Sequence, residues 1–332
     1  MKIFRLIVSI SAVFHCIFAQ SQNEWVLNPI RENNYPSTSQ LESDVEFLCD
    51  SLLQGRSRGC KGHSDAAFFI QRRFRAAGLR PFNGTFVKSF PIGKNSAGHN
   101  IIGLMFGGNR TEDKYIVVGA HYDNLGIING ILYPGADSNA SGVAALLEIA
   151  STFNKQRLSN CRYNCNIIFV AFDGYIDGRL GSKAFIEAVE KGRLMNPFTF
   201  RVIRKEDIKA MVDMDQIGSS LAPPDIFRSE YLIAIGESSL PQQYEGTLER
   251  CNKLYGCNLN LYDNYYGSKR FTQAFYTLGD RKYFIRSGIP TIYFTSGITK
   301  NNNTPDDKAS ALDYCLLRKR SILIFRFIEK LL

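Results

Sequence analysis

The chain has 332 residues, of which 45% are hydrophobic and 21% are charged, and its formal net charge is +9 at pH 7. This apolar content is too high for a disordered chain, and 27 Gly with 11 Pro exclude a collagen-like or low-complexity architecture. The basic residues are spread along the chain without a basic stripe or a known binding motif, so they predict a solvated surface and no nucleic-acid partner.

Residues 1–19 have the pattern of a secretory signal peptide. Lys2 and Arg5 form a positive start, residues 6–18 are mostly apolar, and Ala19 is a small residue before the predicted cleavage point. A membrane span needs about 20 apolar residues, so an uncleaved anchor is the weaker alternative. We therefore expect a secreted or periplasmic protein, with residues 20–332 as a single domain that has no membrane span after signal removal.

Cysteine spacing agrees with export. Seven of the eight cysteines follow residue 19. Local disulfides are plausible in an oxidising compartment, and the pairs close in sequence are Cys49 with Cys60, Cys161 with Cys165, and Cys251 with Cys257. Cys315 is then left over. No CxxC pair occurs, which argues against a zinc site built from cysteines.

In chain order, the hydrophobic periodicity predicts alternating helices and strands. The helices are 39–53, 66–77, 141–153, 182–191 and 312–332, and the strands are 115–120, 166–172, 210–215, 231–235 and 291–294. Apolar strands that alternate with helices predict an α/β fold: a three-layer globule with a central mixed, mostly parallel β-sheet flanked by helices. On the last helix we expect exposed positions for Arg318, Lys319, Arg320 and Lys330.

Sites in open α/β sheets gather at the carboxyl ends of the strands. The turns after residues 120, 172, 215 and 294 are therefore the places to search. The first turn contains His121-Tyr122-Asp123, in which a carboxylate two residues after a histidine can orient the imidazole of a metal ligand. This pattern alone is weak, because a hydrogen-bonded pair at the end of a strand has the same sequence.

Five segments together carry more information. They are His121-Tyr122-Asp123, GADSNASG at 135–142, FVAFDGYIDGRLGS at 169–182, VDMDQIG at 212–218, and GIPTIYF at 288–294 followed by NTPDD at 303–307. In this order and spacing they resemble metallopeptidase family 28, which contains co-catalytic zinc aminopeptidases and whose fold the related glutaminyl cyclases share. The resemblance runs from about residue 48 to the C-terminus and includes Gln54-Gly55-Arg56 and Gly78-Leu79. It implies a zinc-exopeptidase-like fold.

The resemblance also implies a site of five zinc ligands: a His, a bridging Asp, a Glu, an Asp and a second His. A Glu serves as general base, and an Asp orients the first His. In this chain His121 and Asp215 match two of the ligands, and Asp123 matches the orienting acid.

Four positions depart from the family pattern. The bridging Asp is Ser138, the ligand Glu is Ile176, the second His is Asn303, and the general base is Tyr175. A neutral hydroxyl cannot bridge two zinc ions, isoleucine has no donor atom, and an amide oxygen is a poor zinc ligand. The unperturbed pKa of tyrosine, near 10, is unsuited to a general base at neutral pH.

We therefore expect an exported, catalytically inactive homologue of the zinc aminopeptidases, with no bound cofactor. Its cleft, lined by Tyr175, Asn303 and Tyr293, would bind a peptide or protein ligand, and His121 would be hydrogen bonded to Asp123 or Asp215. One alternative is an active aminopeptidase with zinc in a rearranged shell. Another is a structural or interaction protein that acts outside the cleft, through the aromatic-rich segments 240–257 and 262–275.

Two other ways to supply ligands to a metal site are weaker alternatives. Asp177 follows the lost ligand by one residue, and we expect it to point elsewhere. Asp123, Asp137 and Asp215 could hold a hard cation such as Ca²⁺ together with waters.

Overall fold

The computed structural model describes residues 35–108 and 113–332. Residues Tyr35–Leu332 form one compact unit. The predicted signal peptide and the domain boundary at residue 20 lie outside the described residues. Within the described ranges, no helix is both long enough and apolar enough to cross a bilayer.

Among the described residues, the structure contains the five helices and five strands that the sequence predicts and adds three helices and six strands that it does not. The α-helices of the described residues are α1 (Thr38–Cys49), α2 (Lys61–Ala76), α3 (Ser141–Leu158), α4 (Leu180–Glu190), α5 (Thr247–Leu254), α6 (Lys269–Tyr276), α7 (Arg281–Arg286) and α8 (Tyr314–Leu331). The strands are β1 (Arg80–Pro81), β2 (Val87–Ile92), β3 (Ser96–Met105), β4 (Tyr115–His121), β5 (Gly126–Ile128), β6 (Ile131–Tyr133), β7 (Asn166–Phe172), β8 (Ile208–Met214), β9 (Tyr231–Ile235), β10 (Asn260–Tyr262) and β11 (Thr291–Thr295).

The central sheet is mixed, as predicted. Its strand order is β1-β3-β7-β4-β8-β11-β9-β10, and β2 pairs with β3. The four central strands β7, β4, β8 and β11 are parallel, while β3 and β9 join them antiparallel on either side. Parallel pairing is thus concentrated in the centre and recurs between β9 and β10 at one edge. The β5–β6 hairpin is a separate two-stranded sheet.

Two hydrophobic cores, one on each face of the sheet, confirm the three-layer arrangement. Along β4, Ile116, Val118 and Ala120 join one core together with residues of α1, α2, α3 and α8. The alternate residues Tyr115 and Val117 join the other core with residues of α4 and α7. Every residue of β4 and β7 is buried. This burial on both faces explains why the two strands do not show an alternation of apolar and polar residues.

The ends of the first two helices differ from the sequence prediction because of local capping. Helix α1 ends at Cys49, where the Asp50 side chain accepts a hydrogen bond from Leu52 N and begins a 3₁₀ turn over Ser51–Arg56. Helix α2 begins five residues before the predicted start, because the sulfur of Cys60 accepts from His63 N and caps it.

The predicted local disulfides are absent from the structure. The seven cysteines among the described residues are all free thiols. The sulfur of Cys60 is engaged in capping α2, and that of Cys251 points to the carbonyl of Arg326 in α8.

The predicted exposure of Arg320 is wrong. Its side chain is fully buried, and it donates from Nε to Tyr231 O and from Nη1 to Ile217 O and Ser219 O, each at 2.8 Å. Arg318, Lys319 and Lys330 are half-buried. Arg320 therefore ties α8 to β9 and to the loop that follows β8, which carries part of the site described below.

We expect Arg320→Met to lower the free energy of unfolding by about 3 kcal/mol, because three carbonyl groups lose a charged donor. The adjacent Lys319→Met is the matched control. Lys319 forms a partly exposed ion pair with Glu230, and its loss should cost less than about 1 kcal/mol. Urea unfolding of both variants measures the difference, and equal losses would show that the buried contacts do not stabilise the fold.

Candidate functional site

A cavity of about 460 Å³ lies at the carboxyl ends of the central strands. The pairing of His121 with Phe172 aligns the ends of β4 and β7, and Asp215 N donates to Phe294 O beside them. Seven of the residues singled out from the sequence line the cavity: His121, Ser138, Tyr175, Ile176, Asp215, Tyr293 and Asn303. Asp123 is buried directly behind them, so the strand topology does bring the predicted set together.

Tyr175 occupies the centre of the site. Its ring stacks on the imidazole of His121, with centroids 3.7 Å apart and planes inclined by 10°. Its hydroxyl donates to Asp215 Oδ2 at 3.1 Å, while Asp215 Oδ1 lies 3.5 Å from His121 Nε2. The two retained ligand positions thus contact each other, and the residue at the general-base position contacts both.

Asp123 positions the turn after β7. Its carboxylate accepts from Tyr175 N at 3.0 Å and from Ile176 N at 3.1 Å, and it lies 3.9 Å from the imidazole of His121. The imidazole is oriented by the main chain instead, because its Nδ1 donates to the carbonyl oxygen of Asp123 at 3.0 Å. This contact leaves Nε2 as the nitrogen that faces Asp215.

The protonation states follow from these contacts. Burial lowers the pKa of His121, but the contact with Asp215 and the charges of Asp215 and Asp123 outweigh it and raise this pKa to about 9. Burial acts to raise the pKa of Asp215, and His121 holds it below its usual range. Burial and the charge of Asp215 raise the pKa of Tyr175 far above neutrality. At neutral pH the site holds an imidazolium, a carboxylate and a neutral phenol.

The positions of the bridging Asp and the second His are joined by amide groups. Ser138 Oγ accepts from Asn302 Nδ2 at 2.7 Å and from Gln216 Nε2 at 3.4 Å. Asn303 is exposed and donates to Asn302 Oδ1 at 3.1 Å. Sequence reasoning missed Gln216 and Asn302, although both lie next to positions that it selected.

The neighbouring acids have other roles. Asp137 Oδ1 accepts from Gly218 N at 2.7 Å and from Ser141 Oγ at 2.9 Å, so it ties the start of α3 to the loop after β8. Asp177 points elsewhere, as predicted, and pairs with Arg58 at 2.6 Å. Across residues 35–108 and 113–332, no group of three or more His, Cys, Asp or Glu side chains is placed to hold a metal ion.

Two arginines of the cavity wall were not predicted. Arg281 is buried, pairs with Asp213 at 2.7 Å and covers the ring of Tyr293 at 3.4 Å from its centroid. Arg179 lies over the Tyr175 ring, 4.7 Å from its centroid. Arg281 follows no recognisable motif, whereas Arg179 lies inside the 169–182 segment and could have been noticed there.

Zinc, the metal that the resemblance implies, does not fit this donor set. One oxygen of Asp215 accepts from Tyr175, the other lies 3.5 Å from Nε2 of His121, and the ring of Tyr175 covers a face of that imidazole. A zinc site needs three or four protein ligands, with the histidine neutral. Ser138 and Asn303 carry only neutral oxygens, and Ile176 carries none.

Solved structures confirm the expected fold. A zinc aminopeptidase from Bacillus subtilis superposes with a TM-score of 0.65 at 13% identity, covering 89% of this chain and 95% of that one. A glutaminyl cyclase from Porphyromonas gingivalis gives a TM-score of 0.65 at 18% identity, covering 89% and 99% of the two chains. At this level of identity the likeness shows the fold alone.

Two curated relatives match shorter stretches. A "Probable zinc metalloprotease" of Pyrenophora teres f. teres (strain 0-1) is 30% identical over 119 residues, which is 35% of this chain and 22% of the relative. Human transferrin receptor protein 2 is 36% identical over 90 residues, which is 27% of this chain and 10% of the relative. The matched part is thus less than a quarter of the length of either relative.

A sequence model of Peptidase family M28 matches residues 100–328, which include every retained and every replaced position of the site. The match extends over more than half of the chain, and it agrees with the fold and with the motif order described above. The chain belongs to Peptidase family M28.

Proposed function

We propose that this member of the family does not hydrolyse peptides and that its cleft binds a peptide or protein ligand. The observation that carries the proposal is the position of Tyr175, which stacks on His121 and donates to Asp215. These contacts use the two side chains that a metal would need. In our proposal the site is a closed hydrogen-bonded cluster.

The chemistry of the cluster supports the absence of turnover. Hydrolysis of a peptide bond requires an activated water and a general base. The base position carries Tyr175, whose pKa is raised by burial and by Asp215. Asp215 itself accepts from Tyr175 through Oδ2 and lies beside the imidazole through Oδ1, so both of its oxygens face groups of the protein.

The shape of the cavity supports ligand binding. A volume of about 460 Å³ lies within the range of about 300–1,000 Å³ that is usual for ligand pockets. Its wall combines apolar side chains with amide and charged groups, and the apolar ones include Leu125, Phe275, Leu278 and Ile298. The name of the human relative is that of a receptor, which agrees with a binding role on this fold.

The other two functions have less support. An active aminopeptidase would need a third strong ligand near His121 and Asp215, and the described residues supply none. A role outside the cleft would use the two aromatic-rich segments 240–257 and 262–275, and the burial of side chains bears on the second. Within it, Tyr265 is buried and Phe275 lines the cavity, so part of this segment builds the core and the cleft wall.

We further propose that the protein is exported, on the evidence of the charge and hydropathy pattern of residues 1–19. Sequencing the N-terminus of protein recovered from the medium or periplasm of expressing cells tests this. We expect the mature chain to begin at Gln20. A protein that stays in the cytosol with residues 1–19 attached would contradict the proposal.

We expect the purified protein, after incubation with zinc and desalting, to contain far less than one zinc ion per chain by mass spectrometry. Peptide substrates should not be cleaved with or without added zinc. His121→Ala is the control, because zinc bound elsewhere would persist in this variant. One or two zinc ions per chain that disappear in His121→Ala would refute the proposal.

We expect NMR titration of the histidines of the mature protein to give His121 a midpoint near pH 9. Because this folded-state pKa lies above the ordinary value of 6.5, the stabilisation is complete below pH 6.5 and is lost as the pH rises through about 9. Asp215→Asn should lower the titration midpoint of His121 and reduce the loss in the free energy of unfolding as the pH rises through about 9. A midpoint at or below 6.5 in the unmodified protein would show that the imidazolium is not formed.

A further inference from the structure

Arg179 is a cation in the cleft without a matching anion. It precedes α4 and holds a left-handed backbone conformation, with φ of 63°. Its side chain lines the cavity, and its Nε is buried without a hydrogen-bond partner. Its guanidinium contacts the ring of Tyr175, and it forms no ion pair with a carboxylate of the described residues.

The other charges around the cavity are matched. Arg281 is paired with Asp213, His121 with Asp215, and Arg58 with Asp177 beside the same turn. Among the charged residues that line the cavity, three are cations and one is a carboxylate: His121, Arg179, Arg281 and Asp215. Tyr175 and Ile176 stand where the family pattern has two Glu, so two carboxylates are missing directly beside Arg179.

A structural role for Arg179 explains only part of this arrangement. A cation over an aromatic ring contributes about 0.5–1 kcal/mol at partly exposed sites. The guanidinium carbon lies 4.7 Å from the centroid of the Tyr175 ring, and the buried Nε has no hydrogen-bond partner among the described residues. A buried donor without a partner carries a desolvation penalty that the stacking contact does not remove.

We propose that the cleft recognises a carboxylate, which Arg179 binds through its guanidinium edge while apolar side chains hold the adjoining part of the ligand. This inference rests on the proposed binding function and names its ligand class. Guanidinium groups bind carboxylates with two parallel hydrogen bonds, which gives both affinity and orientation. Phe275, Leu278 and Ile298 line the same cavity and suit an apolar neighbour. The carboxylate belongs either to an acidic side chain or to the C-terminus of a chain.

The test measures peptide binding by fluorescence anisotropy with three labelled probes of one apolar core sequence. The first is capped at both ends and neutral, the second is capped and carries one internal Glu in place of Gln, and the third is neutral with a free C-terminal carboxylate. We expect one of the two acidic probes to bind about tenfold more tightly than the neutral probe, and less tightly at high salt. The probe that binds tightly identifies the source of the carboxylate.

Three variants assign the preference to Arg179. Arg179→Gln should abolish the tenfold difference between the acidic and the neutral probes, whereas Arg179→Lys should retain part of it. Lys183→Gln is the matched control, because this residue of α4 is paired with Glu187 and does not line the cavity. Thermal unfolding of each variant confirms that the fold is intact.

The outcomes separate this inference from the proposed function. If all three probes bind equally and Arg179→Gln changes nothing, the carboxylate inference is wrong and the binding cleft remains. If no probe binds, both are overturned. If the neutral probe binds and is cleaved, the inactive assignment fails, and the carboxylate preference is then judged by the same affinity ratio.

Discussion

The parallel pairing of β4 with β7 and β8 is the constraint on which the rest of the site depends. Parallel strands end at the same edge of a sheet, so the turns that follow them lie side by side. His121, Tyr175 and Asp215 come from three such turns and meet although they are far apart in sequence. The buried Arg56 also holds the segments near the cleft in place, because it donates to the carbonyls of Tyr122, Pro134 and Gly135.

The acids that remain near the cleft have structural roles that do not involve a metal. Asp123 accepts from the main chain at Tyr175 and Ile176, and Asp307 accepts from that at Asp137 and Ser138. Removing either carboxylate would leave two buried N–H groups without partners, at a cost of about 1–3 kcal/mol each. The side chains at the replaced positions Ser138, Ile176 and Asn303 do not each accept hydrogen bonds from two main-chain N–H groups. The fold is therefore compatible with loss of the metal ligands and depends on these two acids.

The sequence was sufficient for the fold and for most of the site, because both depend on patterns that are local to a strand and its turn. The strands 166–172 and 231–235 were predicted to the residue, since their apolar runs are bounded on both sides. Among the strands that were missed, β3 includes Gly, His and Asn and shows no clear period of apolar residues. Arg320 was misplaced because a basic residue on a helix is usually exposed, and only the three-dimensional packing shows the carbonyls that it meets.

The electrostatics of the cleft could not be obtained from sequence positions alone. Counting replaced ligands shows that negative charge is lost, but it does not show which of the remaining charges are paired. The structure shows that Tyr175 contacts His121, Asp215 and Arg179. Because Tyr175 is a neutral phenol and Ile176 is apolar, neither position supplies a carboxylate to Arg179. In our proposal, the substitution that removes the general base also leaves a guanidinium available to an anionic ligand.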